Sequence, residues 1–249
     1  MNRVVLLSLG LAAFSFLLSN QVTAQEQSLA PDYRNFALRT DASDMPKDGI
    51  QVFACGSDGG PPLQALSGWE DYSKCARDKR GLHEVYVEFD TSLQRIVDAT
   101  EDQYKLSPWF KKYAGTRVAG FAVVMSMLFD DSGVARGFRV VTDQRAGLDE
   151  RERAFLLELR ILPRYGRTGW ICLDHPPQNK ETPVGETYIN RLCSKDTDGK
   201  HITVETHLFR KAGQTGVNLS GRYIPGDYES LTRWEVYDQS LEGTDASAG

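Results

Sequence analysis

Four cysteines in two similarly spaced pairs constrain this chain more than any other feature. Cys55 and Cys75 lie 20 positions apart, and Cys172 and Cys193 lie 21 apart. Each first cysteine precedes a Pro-Pro pair, and each second cysteine opens a similar run, Cys-Ala-Arg-Asp or Cys-Ser-Lys-Asp. This self-similarity predicts a tandem duplication in which each copy carries a disulfide-closed loop. Of the possible pairings, the spacing favours Cys55–Cys75 with Cys172–Cys193.

The first 24 residues are typical of a secretory signal peptide. Arg3 precedes an apolar stretch at 4–18, and residues 22–24 (Val-Thr-Ala) resemble a cleavage site. We therefore expect residues 1–24 to be removed and the chain to be exported, periplasmic or secreted, into a compartment where disulfides persist. The other long apolar run, 118–129, is too short to cross a bilayer, so no membrane span is expected after processing.

Charge and motif content narrow the classes of function. The formal net charge of −5 falls to −6 (−5 − 1) without Arg3, which gives no electrostatic basis for binding nucleic acid. No close Cys-x-x-Cys pair indicates a zinc site, and we expect no cofactor. The glycine-rich stretch 56–60 fits neither phosphate-binding pattern and predicts a flexible turn in the first disulfide loop.

Local patterns predict the elements of the first copy, which we assign to residues 49–166. Strands are indicated by period-2 alternation and helices by apolar spacing at three and four residues. The predicted elements are a strand at 84–90, a helix at 93–104 within a helical insert spanning 92–114, a hairpin of strands 118–129 and 134–142, and a helix at 149–162 that buries Phe155, Leu156, Leu159 and Leu162.

The second copy, residues 167–238, is predicted to be shorter and packed on the first. Its predicted elements are a strand at 202–208 and a hairpin of strands 217–224 and 231–237. Composition predicts a flexible N-terminal arm at 25–48 and a disordered tail at 239–249. The expected fold class is α+β: a mainly antiparallel sheet with two or three helices, built from two related halves.

One acidic segment resembles a calcium loop. Ser194, Asp196, Asp198 and Glu205 occupy EF-hand ligand positions, with glycine after Asp198. Serine at the first position and Glu205 inside a predicted strand favour a plain hairpin turn, and calcium binding is left open. His201 and His207 point to one face of that strand, but they lie about 20 Å apart and cannot share an ion. We predict no metal site.

These observations favour an exported, non-catalytic binding or structural module with an unidentified envelope or extracellular ligand. Trp69, Tyr72 and Tyr188 are the candidate contact residues, with packing beside the disulfides as their alternative role. The alternative function is a secreted hydrolase with a carboxylate and histidine site, including His207, between the two halves.

Overall fold

The computed structural model describes residues 33–89 and 116–243, which form mainly an antiparallel sheet. Its strands are β1 (Ile50–Cys55), β2 (Ala65–Leu66), β3 (His83–Phe89), β4 (Arg117–Val118), β5 (Phe121–Phe129), β6 (Ala135–Thr142), β7 (Ile171–Asp174), β8 (Ile189–Thr197), β9 (Lys200–Phe209) and β10 (Glu229–Asp238). The helices in the described ranges are α1 (Leu148–Glu152), α2 (Glu158–Ile161) and 3-10 segments at Trp69–Lys74, Ala154–Leu157, Leu162–Tyr165 and Gln239–Gly243. The predicted antiparallel class is confirmed.

The two parts of the chain share one ten-stranded sheet. The strand order is β2-β1-β3-β5-β6-β10-β9-β8-β7, with β4 beside β5. All earlier strands lie on one side of the β6–β10 pair and all later strands on the other. In that central pair Arg139 lies opposite Glu235. The two parts are therefore joined by backbone hydrogen bonds within a sheet.

One face of the sheet carries the hydrophobic core. Because side chains alternate along a strand, Val85 and Val87 of β3 point to this face together with Trp234 of β10. The face is covered by residues 33–48, by the 3-10 helix Trp69–Lys74 and by the helical segment 148–165. Each fully buried apolar side chain contributes about 1.5–3 kcal/mol to the free energy of unfolding.

Residues 33–48 are part of this core, so the predicted flexible arm at 25–48 is wrong over that range. Phe36 is 2% exposed, and its ring contacts the rings of Trp69, Phe89 and Phe138. The segment was predicted to be flexible because its composition is polar overall, but four of its apolar residues reach the core. These are Phe36, Leu38, Ala42 and Met45. Residues 25–32 lie outside the described part of the chain.

The helix predicted at 149–162 is broken into short α and 3-10 segments. The side chains it buries are those of Ala154, Leu157, Glu158 and Ile161. Leu159, predicted to be buried, is 62% exposed. The 3-10 segments have a tighter turn than an α-helix, so the buried face departs from the α-helical spacing used for the prediction. The helix predicted at 93–104 and the insert at 92–114 lie outside the described residues.

The second predicted hairpin is also wrong. Residues 217–224 form no strand and make one isolated β-bridge, between Val217 and Tyr223. β10 pairs instead with β9 and β6. In the predicted duplication β3 would correspond to β9 and β6 to β10. In the sheet, however, β5 lies between β3 and β6, whereas β9 pairs directly with β10. The two parts therefore do not match strand by strand. The tandem duplication remains a prediction.

Both disulfides have the pairing that the spacing favoured. Cys55 at the end of β1 is joined to Cys75, which follows the first 3-10 helix. Cys172 of β7 is joined to Cys193, its direct partner in β8. Closing loops of this length contributes roughly 3 kcal/mol each to stability. Among the described residues no helix combines the length and the apolar character needed to cross a membrane.

The disordered tail predicted at 239–249 is wrong over residues 239–243. Residues 239–243 form a 3-10 helix, and Leu241 packs against Leu82, Leu128 and Tyr237. The structural description ends at residue 243.

Candidate functional site

The face of the sheet opposite the core carries a charged pocket beside the β6–β10 pair. Its volume is about 520 Å³. Nine charged side chains and Tyr237 line it, with four carboxylates and five cations among the nine. Side chains alternate between the two faces of a strand, so those of β6 and β10 that do not point into the core point into the pocket. They include Arg139, Arg233, Glu235 and Tyr237.

Arg139 forms the floor of the pocket and is almost completely buried. Its guanidinium donates to Glu84 Oε2 at 2.8 Å, to Glu235 Oε1 at 2.6 Å and to Asp78 Oδ2 at 3.1 Å. It also donates to the Tyr237 hydroxyl at 3.2 Å. Burial would lower the pKa of Arg139, but the charge of Glu84 and its neighbours outweighs burial and raises it. Arg139 is therefore a fixed cation that holds strands β3, β6 and β10 in register.

Arg233 forms a second bridge at the side of the pocket. It donates to Glu235 Oε1 at 2.9 Å and binds the carboxylate of Asp58. Burial acts to raise the pKa of Asp58, but the hydrogen bond and charge of Arg233 lower it overall. Asp58 and Glu235 are consequently held by arginines on the wall of the pocket.

The glycine-rich stretch 56–60 is packed against this network. The amide of Asp58 donates to Glu84 Oε2 at 2.8 Å. A Cβ atom on Gly56 would lie 2.3 Å from Glu84 Cγ, and one on Gly59 would lie 2.4 Å from Val141 Cγ2. Gly59 also has a φ of +84°, which favours glycine. The stretch was predicted only as a flexible turn, whereas Gly56 permits its close approach to Glu84 and Gly59 its close approach to Val141.

The turn after Asp78 places two further cations at the rim. Asp78 Oδ1 accepts hydrogen bonds from the amides of Arg80 at 2.8 Å and Leu82 at 3.1 Å. The Arg80 guanidinium lies 3.9 Å from the centre of the Tyr237 ring. Lys79 and Arg80 are both exposed, and neither forms an ion pair with any residue that the structure describes. The rim therefore presents two positive charges that no described carboxylate contacts, although the charge of Lys79 helps to lower the pKa of Asp58.

Glu205 and His207 of β9 lie on the same open face. Their side chains are 3.0 Å apart, and Glu205 lines the pocket. The hydrogen bond from His207 is the main cause of the lowered pKa of Glu205. Glu205 is thus ionised at neutral pH.

The aromatic residues considered as ligand contacts are not in the pocket lining. Trp69 is fully buried, donates to the Pro46 carbonyl at 2.9 Å and packs in the core, so a contact role for it is wrong. Tyr72 packs on Phe129. Tyr188 is half-buried and donates to Glu181 at 2.7 Å.

The calcium-loop residues are spread along a β-hairpin. Asp198 and Gly199 form the two-residue turn between β8 and β9, both with positive φ. Asp196 contacts His201 at 2.7 Å, whereas Glu205 lies four residues further along β9, about 13 Å away at the rise of a strand. Within 33–89 and 116–243 no group of three or more histidine, cysteine, aspartate or glutamate side chains is placed to hold a metal.

Neither a protein-family model nor a curated protein matches the sequence, and no solved structure matches the fold.

Proposed function

We propose that the chain is an exported binding protein without catalytic activity, whose ligand occupies the charged pocket beside β6 and β10. The observation that carries this proposal is the pair of rim cations, Lys79 and Arg80, which face a cavity with a rigid floor. The volume of about 520 Å³ lies within the range of small-molecule sites. The signal-peptide pattern and the two disulfides support export.

The charges of the pocket define the class of ligand. Lys79 and Arg80 provide hydrogen-bond donors and positive charge for an anionic group. Asp58 and Glu205 are ionised acceptors for hydroxyl or ammonium groups. A ligand that fits both the cations and the carboxylates is a small polar molecule with an anionic group and several hydrogen-bond donors, such as an amino acid or an acidic sugar.

The same carboxylates fit a hydrolase less well. General acid catalysis requires a group whose pKa lies near the working pH. The pKa values of Asp58 and Glu205 are instead lowered, by Arg233 and His207 respectively. Glu84, Glu235 and Asp78 each accept a hydrogen bond from Arg139. His207, the base named for the alternative hydrolase, has the ionised Glu205 as its neighbour rather than a proton donor.

The proposal is tested by calorimetric titration of the processed chain with a panel of free amino acids and acidic sugars. We expect the double variant Lys79→Ala/Arg80→Ala to bind the best probe about tenfold or more weakly, since hydrogen bonds to charged groups contribute about 1.5–3 kcal/mol each. Arg167→Ala/Arg222→Ala is the matched control, because it removes the same charge from exposed positions outside the pocket lining. Equal losses in the two variants, or no binding by any probe, would contradict the proposal.

A further inference from the structure

The two disulfides differ in exposure. Cys55 and Cys75 are each 4% exposed, so both sulfurs of that bridge are protected. In the other bridge Cys193 is 0% exposed, whereas Cys172 and all of β7 are exposed. The Cys172–Cys193 disulfide therefore joins one accessible cysteine to one that solvent cannot reach.

The position of β7 leaves Cys172 open to attack. Among the strands that the structure describes, β7 is the last of the sheet and pairs with β8 alone. The amide of His175 donates to the Asn190 carbonyl, so alternation turns the backbone groups of Cys172 and Asp174 away from β8. Because Cys172 is exposed and Cys193 is fully buried, an external thiol can approach Cys172 but cannot reach Cys193.

A buried carboxyl group lies beside the protected sulfur. Glu158 Oε1 of α2 is 3.9 Å from Cys193 Sγ. The disulfide sulfur carries no proton, so this is a contact between an oxygen and a sulfur rather than a hydrogen bond. Burial raises the pKa of Glu158, and the charge of Arg191, 3.7 Å away, opposes it only in part. The other groups that act on Glu158 are the Thr206 hydroxyl and the Asp174 carboxylate.

We propose that Cys172–Cys193 is a thiol–disulfide exchange site, in which an external thiolate attacks Cys172 and Glu158 donates a proton to the departing sulfur of Cys193. The bond between Cys172 and Cys193 breaks, and a mixed disulfide forms between the thiol and Cys172. The electron pair of the broken bond goes to Cys193 Sγ, which takes the proton of the Glu158 carboxyl. A second thiol then attacks the mixed disulfide, so that two thiols are oxidised to one disulfide as the protein bridge is reduced.

The Cys55–Cys75 bridge is an internal control for this site. The native processed chain is treated with reduced glutathione, quenched with an alkylating reagent at intervals and mapped by mass spectrometry. We expect Cys172 and Cys193 to be alkylated about tenfold or more faster than Cys55 and Cys75, because access limits attack on a disulfide. Circular dichroism monitors folding throughout. Equal rates for the two bridges, or reduction only as the chain unfolds, would overturn the proposal.

The role of Glu158 is tested with Glu158→Gln, and the exposed Glu186→Gln serves as the control. At pH values below the raised pKa of Glu158 the carboxyl group carries a proton, and we expect the wild-type chain to be reduced about tenfold faster than the glutamine variant. Above that pKa the carboxylate repels the departing thiolate, so the ratio of the two rates falls as pH rises. A ratio that does not change with pH would indicate a purely structural role.

Single-cysteine variants give a second readout on folded protein. Cys193→Ser retains the exposed Cys172 and is expected to form a mixed disulfide with an aromatic disulfide reagent. Cys172→Ser retains the buried Cys193 and is expected to react far more slowly. Equal reactivity of the two variants, with melting temperatures that match, would contradict the assignment of Cys172 as the attacked sulfur.

Discussion

At the scale of single residues, Arg139 accounts for both the rigidity and the polarity of the pocket. It is buried, and it binds Glu84, Glu235 and Asp78 from three different parts of the chain. Removing one partner from a buried ion pair leaves the other uncompensated and costs about 3–5 kcal/mol. The floor of the pocket is therefore preorganised. Because Arg139 is already bound to carboxylates, we expect the exposed cations Lys79 and Arg80 at the rim to bind the ligand.

Gly56 is required by the same network. We expect Gly56→Ala to lower the free energy of unfolding by about 1–3 kcal/mol, because its Cβ would overlap the Glu84 side chain, which Arg139 and the Asp58 amide hold in place. Gly68→Ala is the control. Its Cβ would meet the half-exposed carboxylate of Glu70 at 2.9 Å and Lys47 Nζ at 3.9 Å, both at the ends of side chains that can move away. Denaturant unfolding that gives the same midpoint for both variants would show that the Gly56 contact is not constrained.

At the scale of elements, local patterns predicted the strands better than the segments that cover them. Alternation at 84–90 and turn residues at 130–133 correspond to β3 and to the connection between β5 and β6. The helical segment 148–165 follows mixed α and 3-10 spacing, and residues 217–224 have the apolar residues of a strand without its pairing. Both errors arise because strand and helix boundaries depend on neighbours distant in sequence.

The N-terminal segment provides a prediction at this scale. Phe36→Ala is expected to lower the free energy of unfolding by about 3–5 kcal/mol, since it leaves a cavity among the aromatic rings that it contacts. Leu63→Ala is the control, because Leu63 is largely exposed and its loss should cost less than about 0.5 kcal/mol. If the two variants unfold at the same denaturant concentration, residues 33–48 are not part of the core.

At the scale of the whole molecule, the pocket depends on the pairing of β6 with β10. Arg139 and Glu235 are 96 residues apart, and each occupies an ordinary alternate position in its strand. Cysteine spacing favoured both disulfides, but no local pattern indicates which distant strands become neighbours. The site could therefore not be predicted from the sequence, even though most of the strands that form it could.

The two proposed sites lie on different parts of the sheet. The charged pocket lies at the centre, on the face opposite the core, whereas the Cys172–Cys193 disulfide lies at the β7 edge. Either proposal can fail without the other, because binding at Lys79 and Arg80 does not involve β7.

The most direct test of the binding proposal is a crystal structure of the processed chain with the tightest-binding amino acid or acidic sugar. The account predicts that the anionic group of the ligand lies within hydrogen-bond distance of Lys79 or Arg80, with its donors directed at Asp58 or Glu205. A ligand bound elsewhere on the molecule, with the charged pocket left to solvent, would contradict it.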